Sequence, residues 1–156
     1  MNQSLVIVPV DFTPCAISAL NYTKEMFSGK DTDVILIHVV DSRVAHRIAQ
    51  YVKEPVETVK ERLIEQAKQT FSRFIQETNT LDLVKETIVS YGPPFQEIAL
   101  KARDLQADLV VMGGYGSRGK GQIDEIFFGS TVEKVVRLLP CPILCVPIGW
   151  GTEDSY

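Results

Sequence analysis

A chain of 156 residues with 45% hydrophobic and 23% charged side chains has the balance of a globular protein able to bury roughly two-thirds of its unfolded surface. Its net charge of −4 argues against broad binding to nucleic acid, which needs Lys and Arg against the phosphates, yet leaves room for one anion held by backbone N–H groups. The apolar runs are strand-sized, and the start MNQSLVIVPVD lacks the basic region and cleavage site of a signal peptide, so a cytoplasmic protein with no membrane partner is expected.

In chain order, Leu5 to Val10 is a short, continuously apolar run, the pattern of a strand buried on both faces. Thr13 and Pro14 then open a helix, Thr as its cap and Pro at its first position, and Gly29 closes it. Val34 to Val40 is a second buried strand. Asp41 to Glu54 reads as a loop holding a short helix around Ala45 to Tyr51. Pro55 opens a long helix with Val59, Leu63, Ala67, Phe71 and Phe74 along one face. Leu83 to Ser90 is a partly polar strand suited to a sheet edge, broken by Tyr91-Gly92-Pro93-Pro94. A helix with Phe95, Ile98, Ala99 and Ala102 on its apolar stripe follows, then a strand from Leu109 to Met112. Ser130 to Leu139 is the last helix and Ile143 to Val146 the last strand. Residues 1–149 form one predicted domain, and 150–156 an irregular tail.

The segment between the strand ending at Met112 and the helix opening at Ser130 carries the strongest chemical signal. GSRGKGQIDEIFFGST spaces Gly116 and Gly119 three apart, and after nine more residues reaches Gly129-Ser130-Thr131. Glycines let a backbone turn through positive φ and bring bare N–H groups close to an anion. A helix start at Ser130 adds unpaired N–H donors and a partial positive charge, where phosphate oxygens rest favourably. A plain surface loop with an ordinary cap is the competing reading of the same residues.

Five strands separated by helices imply an α/β fold: a single open five-stranded parallel sheet with right-handed crossovers and helices on both faces, for which the order expected here is 3-2-1-4-5. Ligands of such sheets bind at the carboxyl ends of the strands where the order reverses. Pro9-Val10-Asp11 and Met112-Gly113 end the two strands that flank this point.

A strand ending VPVDF, a second ending IHVVD, and VVMGGYG…GST…PCPILCVP together resemble the universal stress protein family over almost the whole chain. The frame G-x-x-G, nine residues, G-S/T resembles its ATP-binding branch. The resemblance implies a Rossmann-like, adenine nucleotide alpha-hydrolase-like fold. It also implies adenosine contacts from Pro9, Val10, Asp11 and Val39, with Met112 and Gly113 near ribose and phosphates. Gly116, Gly119, Gly129, Ser130 and Thr131 would cradle the phosphates of ATP, with Mg²⁺ held through those phosphates. In the family the first motif glycine follows Met directly, so the loop here is about three residues longer. Whether Gly113, Gly116 or Gly119 meets the phosphates stays open.

The implied function is that of an ATP-binding stress-response regulatory protein, with nucleotide biasing conformation or assembly. The alternatives are a dimeric scaffold that binds no nucleotide and a slow ATPase or autophosphorylating protein. No lysine lies in a GKS or GKT phosphate loop and no base is evidently placed to activate water, so no catalytic residue is assigned. Asp11 suits either a ligand contact or a helix-start role. His38 reads as a buried, hydrogen-bonded histidine and His46 as a surface one. Cys141 and Cys145 would lie about 13 Å apart on a strand, too far for a disulfide; Cys15 reads as a small buried residue. No His and Cys cluster has zinc spacing. The last strand, at the sheet edge, is expected to pair with a second copy through Pro142 to Pro147, giving a homodimer.

Overall fold

The computed structural model describes residues 3–114, 130–138 and 140–150. Its strands are β1 (Ser4–Pro9), β2 (Thr32–Asp41), β3 (Val84–Gly92), β4 (Leu109–Gly113) and β5 (Ile143–Val146). Its helices are α1 (Pro14–Phe27), α2 (Ser42–Val52), α3 (Val56–Glu77), α4 (Pro94–Asp104) and α5 (Ser130–Leu138). All neighbouring strands pair parallel, in the order β3-β2-β1-β4-β5. The expected α/β architecture and strand order are therefore those of the molecule. No helix of the described residues is long and apolar enough to cross a membrane.

Strand alternation sorts the core into two layers. Val6, Val8 and Val10 point with Val34 and Leu36 toward Ala16, Ala19 and Leu20 of α1 and Phe71 and Phe74 of α3. Ile7, Ile35 and Ile37 point the other way, onto Ile98 and Ala102 of α4 and Val132 and Val135 of α5. Both faces of β1 and β2 are thus covered, which is why their sequences are unbroken apolar runs. Each such side chain contributes about 1.5–3 kcal/mol on burial. A smaller cluster, Ala45 and Ala49 of α2 against Val59 of α3, adds a flank beside Tyr91.

Two elements differ from their sequence-based bounds, and a third differs in how its start is capped. Helix α2 runs from Ser42 to Val52, longer than the expected turn or two. Asp41 caps it, accepting from the Arg43 amide at 2.9 Å, and the Arg43 guanidinium beside it holds the Asp41 carboxyl below its ordinary value. Strand β3 continues through Tyr91 and Gly92, paired with Val40 and Asp41, and stops only at Pro93. Thr13 occupies the cap position of α1 but makes no side-chain cap bond; its hydroxyl donates backward to Asp11 Oδ1.

Candidate functional site at the carboxyl ends of β1 and β4

A proline in a central strand shapes this end of the sheet. The Val10 amide donates to Ile37 O of β2 at 2.8 Å, whereas the Leu5 amide donates to Asp108 on the β4 side. Amides alternate sides along a strand, so the odd-numbered ones of β1 face β4, and Pro9 falls where an N–H toward β4 is needed. Proline has none to give. The β1–β4 ladder accordingly holds only Val6 with Leu109 and Ile7 with Val110, while β1 pairs with β2 through six residues to Pro9 and Ile37. The carboxyl ends of β1 and β4 are left unstitched at the point where the strand order reverses.

Beyond Pro9 the chain leaves the sheet sharply. Phe12 takes a left-handed conformation, φ 64°, which a bulky residue adopts only when its surroundings hold it there. Its ring lies on His38, centroids 4.6 Å apart, and meets Phe71 and Phe74 edge-on at 5.1 and 5.5 Å. His38 Nδ1 sits 2.8 Å from the Val10 carbonyl. A carbonyl only accepts, so this nitrogen carries the proton. Asp11 closes the turn by accepting from the Thr13 amide at 3.1 Å and from its hydroxyl. Burial pushes the His38 pKa below 6.5, against the opposing pull of the Val10 hydrogen bond and the Asp11 charge.

On the other side, Met112 is buried in the α4–α5 layer and Gly113 presses on the start of α1. A Cβ at Gly113 would lie 2.4 Å from the Cys15 carbonyl oxygen, so only glycine lets β4 and α1 approach this closely. The Gly114 amide donates to Val146 O at 2.8 Å, tying the outgoing chain to β5. Ser130 and Thr131 form the first turn of α5, Ser130 exposed and Thr131 half-buried. Gly116, Gly119 and Gly129 lie outside the described residues.

The universal stress protein family model matches residues 4–147. The chain belongs to the universal stress protein family. It is 29% identical over 153 residues to universal stress protein MJ0577 of Methanocaldococcus jannaschii, covering 90% of this chain and 93% of that protein. The solved MJ0577 structure superposes with a TM-score of 0.77 over 94% of this chain and 97% of that one. A hypothetical protein, PH0823, superposes at 0.74 with 25% identity, covering 99% and 100% of the two chains. An Arabidopsis thaliana universal stress protein family member with AMP bound shares the fold, at 18% identity and a TM-score of 0.52 over 92% and 91%.

Within this family fold, strand parity brings together three of the residues singled out from sequence. Val39 and Met112 pack in the α4–α5 layer, and Pro9, odd-numbered like Ile7, shares their face. Val10 is buried in the opposite layer, so its backbone, and not its side chain, borders the opening. Asp11 is exposed at the rim, its Oδ1 engaged in the turn. Among the described residues no group of three His, Cys, Asp or Glu side chains is placed to hold a metal ion. Phe12 and the His38–Val10 bond escaped the sequence reading. The available signal was parity: His38 shares its face with Leu36, the side on which Phe71 and Phe74 lie.

Proposed function

We propose that this protein is a cytoplasmic stress-response regulator that binds an adenine nucleotide, ATP with Mg²⁺ held through the phosphates, at the opening between β1 and β4. The observation that carries the reading is the ladder that stops at Ile7 and Val110, with Pro9, Val39 and Met112 sharing one face at its mouth. Such a switch-point opening is where ligands of parallel sheets sit. Apolar side chains there suit a flat base, and the first turn of α5 suits phosphate. The AMP held by the plant protein of the same fold supports the choice of an adenine nucleotide. Bound nucleotide then favours one conformation or assembly through its differential affinity for the alternatives. The assembly we propose is a homodimer through the strand Pro142 to Pro147.

Calorimetry tests the ligand. Wild-type protein with Mg²⁺ binds ATP below millimolar concentration, and Gly129→Val, whose side chain would obstruct the approach of an anion, loses at least tenfold, about 1.4 kcal/mol. Wild type showing no heat at millimolar ATP refutes the reading.

A further inference from the structure

The β1–β2 ladder stops one rung before its donor and acceptor run out. In the regular parallel pattern, Val10 N–H to Ile37 O is followed by Val39 N–H to Val10 O. The first of these bonds is present at 2.8 Å. The Val10 carbonyl is instead taken by His38 Nδ1, also at 2.8 Å. A side chain from the neighbouring residue of β2 thus occupies the acceptor that the backbone of β2 would have used.

The ring is held in that place from several sides. Phe12 lies on it at 4.6 Å and Phe71 meets it edge-on at 6.2 Å. Phe12 in turn keeps the left-handed φ that swings Asp11 to Thr13 off the sheet. Aromatic contacts of this geometry favour one ring orientation beyond the burial of area, and together they hold the rotamer that makes the Val10 bond.

We propose that His38 is a positioning residue for the nucleotide site: by taking the Val10 carbonyl it keeps the Val39 amide out of the ladder and turned toward the opening, as a donor for the edge of the base. The inference rests on the nucleotide reading above, in which Val39 already meets the adenosine, and adds the residue that keeps its amide available. Val39 presents its N–H and C=O to the same side, since a strand residue bonds one neighbour with both. That donor–acceptor pair complements the adjacent ring nitrogen and exocyclic amine of adenine. Guanine carries the reverse order, a ring N–H beside a carbonyl, so the same pair repels it.

Two variants separate the ring from its bond. His38→Phe keeps an aromatic against Phe12 and loses the donor; His38→Asn keeps a donor near the Nδ1 position and loses the ring. Amide hydrogen exchange followed by NMR reads the ladder without any ligand. The Val39 amide exchanges quickly in wild type, at least tenfold more slowly in His38→Phe, and as in wild type in His38→Asn. Calorimetry with ATP and with GTP reads selectivity. His38→Phe reduces the preference for ATP over GTP about tenfold, and His38→Asn restores most of it. A Val39 amide as protected in wild type as that of Ile37 overturns the proposal whatever the variants do. Equal weakening of ATP and GTP by His38→Phe also overturns it, because that is the signature of a general loss of structure. Wild type binding neither nucleotide defeats the nucleotide reading instead, and the exchange rates still decide the role of His38 in the ladder.

Discussion

At Gly113 one added methyl group would meet the backbone of α1, 2.4 Å from the Cys15 oxygen and 2.6 Å from its carbonyl carbon. Backbone cannot rotate aside as a flexible side chain would, so Gly113→Ala should act as overpacking and cost about 1–3 kcal/mol in a denaturant melt. Gly114→Ala is the control, because its Cβ would lie 3.3 Å from Val146 O and needs only a small shift. Equal midpoints for the two variants would show that β4 and α1 are not pressed together. The sequence displayed both glycines, but nothing in it revealed which one packs against a helix. That depends on where α1 crosses β4, a tertiary fact.

His38 carries a second consequence at this scale. Its folded-state pKa lies below the 6.5 of an unfolded chain, because burial penalises the charged ring. Between the two values the unfolded chain binds the extra proton, so stability rises with pH there. The contribution is complete above about 6.5, shrinks as pH falls through that value, and changes no further once the folded-state pKa is passed. Urea midpoints measured from pH 8 down to pH 5 should fall for wild type, and His38→Asn should lack this component. A wild-type midpoint flat across that range contradicts the assignment.

Among the elements, the strands were legible because burial on both faces writes an unbroken apolar run, as in β1 and β2. Helix α2 was underestimated for the opposite reason. Val44, Ala45, Ile48, Ala49 and Val52 do recur at helical spacing, but the helix fully buries only the small Ala45 and Ala49 while Val44, Tyr51 and Val52 are exposed, so the stripe was easily taken for part of a loop. Strand β5 is one of the two edge strands and has no neighbour on its outer side among the described residues. It pairs with β4 from Ile143 to Val146 and stands last in the order, with Ile143, Leu144 and Cys145 half-buried. Of the features that could guard it, its flanking prolines and the tail, the described Trp150 rests on Tyr22 of α1, ring centroids 5.7 Å apart. We expect wild type to scatter light as a dimer and Leu144→Lys, with a charge in the seam, as a monomer of unchanged circular dichroism. Identical masses would exclude β5 as the interface.

For the molecule as a whole, element alternation and the handedness of crossovers pointed to a parallel sheet with helices on both faces, whereas the order 3-2-1-4-5 was an expectation that alternation does not by itself separate from an order such as 2-1-3-4-5. The expected position of the candidate site came from the reversal of that order. The mechanism that opens it did not. Pro9 is visible in the sequence, yet its effect depends on which neighbour its missing N–H would have faced, and only the register to β2 tells that. His38 was legible as hydrogen-bonded, but its partner, Val10, lies 28 residues away on another strand.

The fold-back of the chain end onto α1 also makes the molecule its own optical instrument. Trp150 is the sole tryptophan, lying edge-on to Tyr22 with its indole N–H 3.4 Å from Glu25 Oε2, while the Gly149 amide donates to Ser18. These contacts fall on α1, the helix whose first turn abuts Gly113 and the Asp11 turn. Emission excited at the red edge of the indole band therefore samples one place only, two to three turns along a rigid rod from the opening between β1 and β4. A ligand that nudges the start of that rod writes its arrival into the colour and intensity of a single ring, and a titration can be followed in unlabelled protein.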